Sequence, residues 1–406
     1  MAGKAAQKES RTARRARLLE DARGVRVADA YDVCVVGGGA AGLVAAITAA
    51  EAGAAVVVLE RDLECGRTIL ATGNGRCNLA NRGLAPIVYN DPAFVEATCG
   101  WTLLTDVLAF FDDCGLATCE EDDRIYPRSL QAASVRNVLL SRARRADVTL
   151  ACGRAVTNVR MTGAGAEVLY TDPGETDGPS RTLSCGAVIV ASGGGVAPVA
   201  ALGLATTPLS PVLCPLTCEP SPFLMLDGRR LRARATLLHN GQPEYAAPGE
   251  VLIRDYGLSG IVIFDISRLA TPGDVIELDL LHNVPEGEAR RAAQAAGSLD
   301  GLLDPQVAAV LMHEAGSLDA ALELARALPF RVVGPAPKQQ SQVTRGGLAT
   351  SEFDPCTLQC RARAALLACG EALDVDGPCG GFNLSWAWKS GMVAGASAAR
   401  VAGVTA

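Results

Sequence analysis

The alternation of hydrophobic and polar positions is most regular between residues 31 and 60, in the stretch YDVCVVGGGAAGLVAAITAAEAGAAVVVLE. An apolar run of strand length is followed by a glycine-rich turn, an alanine-rich run that reaches about Ala52, and a second apolar run that ends at Glu60. Continuous apolar runs bounded by turn residues are typical of buried strands. This order therefore predicts a strand, a helix and a second strand.

The same patterns recur later in the chain. Residues 148–171 alternate in polarity around a glycine turn, and residues 181–195 read as a buried strand that runs into a glycine-rich turn. A proline-rich stretch at 207–223 indicates a crossing between domains. Short β-type runs then occupy residues 231–281, and apolar residues recur at helical spacing over 285–330.

Length and charge limit the classes of protein. The chain has 406 residues and is 49% hydrophobic, so two or three domains with a large core are expected. The net charge of −7 gives no overall attraction to nucleic acid or acidic lipid, and nucleic acid is therefore an improbable partner. No run of eighteen apolar residues is present in the sequence. We expect a soluble cytoplasmic protein with no membrane partner.

Basic residues concentrate near the N-terminus. They are Lys4, Lys8, Arg11, Arg14, Arg15, Arg17, Arg23 and Arg26. We interpret residues 1–29 as a frayed helical or disordered tail. Arg14 and Arg15 resemble a twin-arginine signal, but no apolar segment follows them, so export is not expected.

The 14 cysteines are scattered through apolar segments, where cysteine behaves as a small hydrophobic residue. The pairs Cys214/Cys218 and Cys356/Cys360 each enclose three residues, and the sequence has no C-x-x-C and only 3 histidines. This spacing favours neither a zinc site nor a redox-active dithiol. No metal is expected.

The turn after the first predicted strand has the spacing of a dinucleotide-binding motif. Gly37 allows a tight turn, Gly39 lets backbone amides approach a pyrophosphate, and Gly42 lets the helix pack closely on the strand. Glu60 follows at the distance at which an acidic side chain binds a ribose diol. An acid at this position suits FAD or NAD better than NADP.

The next stretch, residues 61–81, is a loop rather than another strand–helix unit, because glycines interrupt any helix. Asn74, Arg76 and Asn78 supply amide and guanidinium groups suited to a pyrophosphate, a ribityl chain or the edge of a flavin ring. Cys77 lies among them, and a packing role is favoured over a nucleophilic one because no other cysteine or histidine is near it in sequence.

Five motifs together resemble one family. VVGGGAAGL, GRTILATGNGRCNLAN, RIYPRSLQAASV, YGLSG and GEALDVDGPCGGFNLSWAWKSGMVAG are similar to segments of the BaiN/YhiN-like family of NAD(P)/FAD-dependent oxidoreductases. The resemblance covers about residues 31 to 400. It implies FAD as cofactor, and it makes residues 69–81 a loop on the flavin side. Family members are assigned to reduction of unsaturated oxo bile acids and, among relatives, to oxidation of small amines such as aminoacetone.

The resemblance also implies a fold. The predicted class is α/β, a discontinuous Rossmann-like FAD-binding domain with an inserted β-rich domain and a small helical subdomain. The expected segments are a basic tail at 1–29, the FAD-binding domain at 30–200 and 331–406, the β-rich insert at 201–284 and the helical subdomain at 285–330. Two departures from the family pattern are Thr68, where lysine is usual, and a shortened segment after Gly195.

The residues expected around the cofactor come from the turn, the loop and the glycine-rich segments near both ends of the domain. A helix that begins near Asn383 would direct amides toward the pyrimidine edge of the flavin. By analogy Val156 lies near the adenine. The full set is Gly37, Gly39, Ala40, Ala41, Gly42, Glu60, Arg61, Arg67, Thr68, Asn74, Gly75, Arg76, Cys77, Asn78, Val156, Gly193, Gly194, Gly370, Glu371, Asp374, Gly381, Phe382 and Asn383.

Catalytic side chains are less clearly marked, because hydride transfer needs positioning and at most one proton donor. Asp255, Tyr256 and Ser259 lie in a segment shared with the family, and Tyr256 is the preferred proton donor. Trp386 and Trp388 are expected to pack their helix against the core, and Lys389 is expected to be solvated or ion-paired.

The preferred reaction is reduction of a conjugated carbonyl compound, an enone that could be steroid-like or bile-acid-like. NAD(P)H would bind transiently, since no second dinucleotide motif is present, or a protein electron donor would replace it. Three alternatives remain open: an oxidase of a small amine, an RNA-associated flavoprotein, and a flavin-binding module without catalytic activity.

Overall fold

The computed structural model describes residues 10–175, 180–336 and 341–404. The helices are α1 (Arg11–Gly24), α2 (Ala40–Glu51), α3 (Pro92–Cys99), α4 (Leu103–Asp113), α5 (Ala132–Arg145), α6 (Ile261–Ile266), α7 (Glu286–Ala296), α8 (Pro305–Ala315), α9 (Leu318–Arg326) and α10 (Phe382–Val401). The strands are β1 (Ala30–Val36), β2 (Val56–Glu60), β3 (Ala80–Asn81), β4 (Thr118–Glu121), β5 (Arg124–Pro127), β6 (Thr149–Cys152), β7 (Val156–Thr162), β8 (Gly165–Tyr170), β9 (Arg181–Val190), β10 (Thr206–Val212), β11 (Leu216–Cys218), β12 (Arg230–His239), β13 (Gln242–Arg254), β14 (Gly257–Ser259), β15 (Val275–Asp279), β16 (Leu328–Pro335), β17 (Val343–Leu348), β18 (Gln359–Cys360) and β19 (Arg363–Ala368).

The chain divides into two compact units. The first comprises Met1–Ser210 and Thr344–Ala406, and the second comprises Pro211–Val343. The first unit contains a largely parallel sheet with helices, and the second contains a β-barrel with helices. The predicted α/β class with a separate β-rich part is therefore confirmed.

The main sheet of the first unit has the strand order β18-β19-β9-β1-β2-β6, and the β7–β8 hairpin joins it at β9. β1 runs parallel to β2 and β9, β2 runs parallel to β6, and β9 runs parallel to β19. The apolar run of β1 is buried on both faces, which explains why it does not alternate. The parallel register brings the carboxyl ends of these strands to one edge of the sheet.

Helices α2 and α10 pack closely because α10 carries glycines where the two backbones meet. A β-carbon built on Gly391 would lie 2.6 Å from the carbonyl oxygen of Ala41, and one on Gly395 would lie 2.4 Å from that of Ala45. These two glycines are one helical turn apart, so they open a stripe along one face of α10. Any larger side chain would force the helices apart.

Both tryptophans of α10 are buried, as predicted. Trp386 is 1% exposed and donates a hydrogen bond from Nε1 to the carbonyl of Gly370, and Trp388 is 0% exposed and donates to that of Leu79. They can both be buried two positions apart because α10 is enclosed on more than one side. Lys389 forms an ion pair with Asp106, which confirms the ion-paired alternative.

The stretch Pro92–Asp113 has the length and apolarity of a membrane-crossing helix, and 44% of an apolar 18-residue window within it is buried inside the fold. It is not one continuous helix, because a 3₁₀ turn at Gly100–Thr102 separates α3 from α4. Phe111 of α4 contacts Trp388 edge to face, with ring centroids 5.1 Å apart. This segment therefore packs against the core of the first unit.

The second unit is a closed barrel with the strand order β11-β14-β13-β12-β15-β16. Strand β16 pairs with β11 in antiparallel fashion and closes the barrel. Helices α7, α8 and α9 lie between β15 and β16 in sequence and share one apolar core with the barrel strands.

The N-terminal segment differs from the expected frayed or disordered tail over the residues that the structure describes. Ser10 caps α1 by accepting a hydrogen bond from the amide of Ala13. Arg154 donates to the carbonyls of Ala22 (3.1 Å) and Val25 (2.7 Å) at the other end of the helix. A cation at a helix C-terminus satisfies carbonyls that have no partner within the helix. Lys4 and Lys8 lie outside the described residues.

Candidate active site

The carboxyl edge of the main sheet gathers most of the predicted cofactor residues. Val36 at the end of β1 pairs with Leu59 on one side and Val190 on the other. Val190 in turn pairs with Ala368 at the end of β19. The segments that follow, at residues 37–42, 60–81, 191–195 and 369–374, therefore meet at one edge. Ligands of open α/β sheets bind outside this edge.

Glycine is required at two positions of the first turn. Gly37 has φ +106°, and a β-carbon there would lie 2.5 Å from the carbonyl oxygen of Ala191. A β-carbon on Gly42 would lie 1.9 Å from the carbonyl oxygen of Gly37. Gly39 precedes α2, and no side chain within the described residues caps the helix there. The first amides of α2 are thus available to an anion such as a pyrophosphate.

Glu60 is fixed at the end of β2 by backbone amides. Its Oε2 accepts a hydrogen bond from the amide of Gly38 (2.6 Å), and its Oε1 accepts one from that of Asp62 (2.7 Å). Burial is the main cause that raises the pKa of Glu60. Each carboxylate oxygen can accept a further hydrogen bond, so the side chain is oriented and still able to bind a ribose diol.

Val156 begins β7 close to this acid. The amide of Arg154 donates to the carbonyl of Glu60 (2.8 Å), and Val156 follows two residues later. Val156 thus lies close in the chain to a residue that bonds to the backbone of Glu60, and its expected position near the adenine stays a prediction.

The loop after β2 has an unusual backbone. A 3₁₀ segment at Thr68–Gly75 is interrupted by positive φ values at Gly73 (+55°) and Asn74 (+54°), and Cys77 has φ +58°. Residues other than glycine adopt this region at an energetic cost and do so mainly where the surroundings enforce it. The loop is thus held in one shape by its neighbours.

Side chains of this loop have several different environments. Cys77 is 0% exposed, and burial raises the pKa of its thiol to about 11, which supports the packing role. Arg76 pairs with Glu121 at 2.5 Å and lies over the ring of Tyr126, 4.3 Å from its centroid. Arg67 pairs with Asp62 at 3.4 Å. The exposed residues of the set are Arg61, Arg67, Thr68 and Asn74.

The end of the loop and the start of α10 form one assembly. Asn81 donates from Nδ2 to the carbonyl of Gly380 (2.9 Å). Gly381 has φ +101°, and a β-carbon on it would lie 2.6 Å from the carbonyl oxygen of Ala80 and 2.9 Å from Oδ1 of Asn78. Asn78 Oδ1 is buried and accepts no hydrogen bond within the described part of the chain.

Three predicted residues near the C-terminus bind backbone groups. Glu371 accepts a hydrogen bond from the amide of Thr344 (2.6 Å), and Asp374 accepts one from that of Gly346 (3.1 Å). Asn383 exchanges hydrogen bonds with Gly377, accepting at 2.8 Å and donating at 2.9 Å. These side chains shape the glycine-rich entry to α10.

Residues 193–194 reach the same neighbourhood. A β-carbon built on Gly194 would lie 2.9 Å from Cβ of Thr344. Gly370 has φ +64°, and a β-carbon on it would lie 2.7 Å from Cβ of Ala41 in α2. The two glycine-rich segments thus contact strand β17 and helix α2 respectively.

The three candidate catalytic residues lie in the second unit. Asp255 and Tyr256 form the turn between β13 and β14, and Ser259 pairs with Leu252 within the barrel. Tyr256 borders a cavity of about 360 Å³, and burial raises the pKa of its phenol. The cavity is lined by Cys218, Pro220, Ser221, Leu224, Met225, Asp255 and Tyr256.

Comparison with known proteins identifies the family. The model of the HI0933-like protein Rossmann domain matches residues 31–397. The chain belongs to this family. A 3-dehydro-bile acid delta(4,6)-reductase of Clostridium scindens is 33% identical over an alignment that covers 90% of this chain and 98% of that protein. The HI0933-like chain is accordingly an FAD-dependent oxidoreductase, and the family resemblance drawn from the motifs is confirmed.

Two further similarities are more distant. A ribosomal RNA dihydrouridine synthase of Escherichia coli is 25% identical to the HI0933-like chain, with 89% of this chain and 96% of that protein covered. Among solved structures, the open conformation of a flavocytochrome c3 fumarate reductase has a TM-score of 0.48 at 15% identity, covering 99% of this chain and 83% of that chain.

The residues present fit FAD. The open N-terminus of α2 suits its pyrophosphate, Glu60 suits a ribose, and the buried oxygen of Asn78 beside α10 is an acceptor without a protein partner in the described residues. When bound, FAD supplies two-electron transfer as hydride. Which of the predicted residues touch it stays a prediction.

Other contacts of this HI0933-like site, which involve a buried carboxylate near the entry to α10, could not be predicted from the sequence. Arg345 donates two hydrogen bonds to Asp376, from Nε at 2.7 Å and from Nη2 at 3.0 Å, and Asp376 is 1% exposed. Asn90 accepts a hydrogen bond from the amide of Asp376 (2.8 Å). These contacts join β17 and a loop before α3 to the entry of α10, and neither partner could be inferred from a local pattern.

Proposed function

We propose that the protein reduces a carbon–carbon double bond conjugated to a carbonyl group, with FAD as the hydride carrier. The observation that carries this proposal is the 33% identity to the bile acid reductase over 90% of the chain and 98% of that protein. The electron donor is proposed to be NAD(P)H or a protein, and the protein is proposed to act in the cytoplasm.

The chemistry of the second relative supports the same reaction class. Dihydrouridine differs from uridine by saturation of a ring double bond that is conjugated to a carbonyl. A delta(4,6)-reductase acting on a 3-dehydro-bile acid also acts on double bonds in conjugation with a ketone. Both named activities therefore concern saturation of a double bond conjugated to a carbonyl group.

In this proposal the first unit holds the cofactor. The amides at the start of α2 bind the pyrophosphate, and Glu60, held by the amides of Gly38 and Asp62, accepts hydrogen bonds from a ribose. The amides of Gly381, Phe382 and Asn383 at the start of α10 favour negative charge at the flavin edge.

Tyr256 is proposed to act on the substrate. Conjugate reduction delivers hydride to one carbon of the double bond and needs a proton for the carbon next to the carbonyl. A phenol is protonated at neutral pH, and burial, which raises the pKa of the Tyr256 phenol, keeps it so. A phenol in this state can donate that proton or hold the carbonyl oxygen, and Asp255 and Ser259 are proposed to assist in positioning.

The cavity beside Tyr256 suggests the kind of substrate. Its volume of about 360 Å³ lies within the range of small-molecule sites. Pro220, Leu224 and Met225 make part of its wall apolar. We propose a largely apolar enone, steroid-like or bile-acid-like, as the substrate class.

RNA is the second candidate substrate. It is favoured by the identity of 25% to the Escherichia coli enzyme and by the exposed arginines of α1, among them Arg11, Arg15 and Arg17. The net charge of −7 argues against it. Failure of the full chain to bind ribosomal RNA at low salt would eliminate this candidate.

The experiment that tests the preferred function is single-turnover reduction of enones. Protein with bound FAD is reduced without oxygen and mixed with each enone and with its saturated analogue as control. Enone-dependent return of the oxidised flavin spectrum supports the proposal. Reoxidation by air alone, with peroxide formed when a small amine is added, would instead support an amine oxidase.

Variants of the barrel separate the role of Tyr256 from barrel stability. Tyr256→Phe is expected to slow reoxidation by the enone by about 10²-fold or more, the range of one acid catalyst, while FAD stays bound. Tyr245→Phe, on β13 and outside the cavity lining, is the matched control. Equal rates in both variants would remove Tyr256 from the mechanism.

A further inference from the structure

Two cysteine side chains meet at the carboxyl end of β2 and β6. Sγ of Cys65 lies 3.5 Å from Sγ of Cys152, although 87 positions separate them in sequence. Cys152 is the last residue of β6 and pairs with Glu60 across the sheet. Cys65 lies in the loop that follows β2. Spacing along the sequence could not indicate this pair, because the parallel pairing of the strands creates it.

The pair touches the turn that is proposed to bind the dinucleotide. A β-carbon built on Gly38 would lie 2.6 Å from Sγ of Cys65. The amide of Gly66, next to Cys65, donates to the carbonyl of Gly38 (2.7 Å). Cys65 is 2% exposed, whereas Cys152 is partly exposed. Of the two residues, Cys152 is therefore the more accessible to a small oxidant.

The two thiols are also chemically distinct. The hydrogen bond from Cys65 is the main cause that lowers the pKa of Cys152, and the same interaction raises the pKa of Cys65. Glu60 acts in the opposite direction and raises the pKa of Cys152, whereas Arg136 lowers it. Arg136 pairs with Glu64 (3.1 Å) and donates a hydrogen bond from its Nε to the carbonyl of Cys65 (2.8 Å). The thiolate is the form of cysteine that attacks peroxides.

We propose that Cys65 and Cys152 are a modification site that forms a reversible disulfide in the presence of hydrogen peroxide. The Cys152 thiolate attacks one peroxide oxygen, the O–O bond breaks, and hydroxide leaves and is protonated to water. The resulting sulfenic acid is attacked by the Cys65 thiol, an S–S bond forms, and the second oxygen leaves as water. The two sulfurs lose two electrons, and the peroxide is reduced to two molecules of water.

The disulfide alters the cofactor turn. An S–S bond is about 2.05 Å long, so the sulfurs, now 3.5 Å apart, must approach each other. This movement displaces the Cys65 side chain, which packs against Gly38. It also displaces the loop that contains Asp62, whose amide donates a hydrogen bond to Glu60. Oxidation is therefore expected to weaken FAD binding, a consequence that rests on the proposed function.

Mass spectrometry of the whole protein tests the site without reference to flavin. Reduced protein is treated with hydrogen peroxide, alkylated and digested without reductant. A peptide pair joined through Cys65 and Cys152, with two hydrogens lost and restored by a thiol reductant, is the expected result. Cys65→Ser and Cys152→Ser each abolish it, whereas Cys356→Ser, which removes an exposed cysteine, leaves it unchanged.

Other oxidation products would overturn the proposal. These are sulfinic acid at Cys152 with no cross-link, or, in place of the expected cross-link, a disulfide between Cys34 and Cys185, whose thiols also form a hydrogen bond. A second measurement compares the FAD affinity of the reduced and oxidised wild-type protein, with at least a tenfold loss expected on oxidation, or about 1.4 kcal/mol. Equal affinities overturn the link between the disulfide and the cofactor. Failure of even the reduced protein to bind FAD contradicts the proposed function, and the mass spectrum alone then tests whether the disulfide forms.

Discussion

Replacement of Glu60 by glutamine tests whether this acid positions the cofactor. The carboxylate accepts the amide of Gly38 on one oxygen at 2.6 Å and the amide of Asp62 on the other at 2.7 Å. A glutamine side chain has only one acceptor oxygen, and its NH₂ group would face an amide N–H that it cannot accept. Glu60→Gln must therefore lose one of the two bonds.

The size of the effect follows from the type of bond lost. A hydrogen bond to a charged group contributes about 1.5–3 kcal/mol. At about 1.4 kcal/mol per factor of ten, this corresponds to roughly a 10- to 150-fold change in an equilibrium constant. The lost bond to a backbone amide is present with and without FAD, so its loss lowers the free energy of unfolding. We expect the dissociation constant of FAD to rise by the same range, because the variant also removes a charged acceptor from the ribose, a bond of the same type.

The assay is titration of apoprotein with FAD, followed by flavin fluorescence, with thermal unfolding measured in parallel. Glu64→Gln is the matched control, because Glu64 lies in the same loop but pairs with Arg14 (2.6 Å) and Arg136 (3.1 Å) and does not contact the amide of Gly38. An FAD affinity within about twofold of wild type in Glu60→Gln would refute the assigned role.

Three further predictions concern packing, reactivity and pH. Gly395→Ala places a methyl group against α2 and is expected to destabilise the first unit by about 1–3 kcal/mol in denaturant unfolding; no change would contradict the close contact. Cys77, buried and with its pKa raised to about 11, is expected to resist alkylation in native protein at neutral pH, and labelling as fast as an exposed cysteine would contradict this. Burial acts to raise the pKa of Asp274, but hydrogen bonds from Thr271 and His239 outweigh it and lower the pKa. The stability that Asp274 contributes is therefore present above its ordinary pKa and is lost as pH falls through the lowered pKa. Asp274→Asn should therefore make the free energy of unfolding fall less steeply at acid pH. An unchanged dependence of that free energy on pH would contradict the assignment.

Local patterns were sufficient to predict the dinucleotide-binding part of the fold. The apolar run before Gly37, the glycine spacing and the terminal Glu60 each reflect a constraint that operates over a few residues. The glycine-rich entry to α10 was predicted for the same reason, and the helix begins at Phe382, one residue before the expected start.

Features that depend on distant partners were not predicted. The docking of α1 depends on Arg154, more than a hundred positions away, and the pair of Cys65 and Cys152 depends on the register of β2 and β6. The contacts of Arg76 with Glu121 and Tyr126, which belong to a hairpin that follows it in the chain, were likewise not predicted, and its role at the cofactor stays a prediction. Contacts of this kind arise only when the sheet has assembled.

The most direct test of the proposed reductase is an anaerobic titration of the purified protein. Bound flavin is first reduced with NADH or NADPH, and an enone is then added before any oxygen is admitted. The proposal predicts that the flavin colour is lost with the reduced nicotinamide and returns with the enone, but not with its saturated analogue. Protein that takes up no FAD, or reduced flavin that every enone leaves unchanged until air enters, would contradict it.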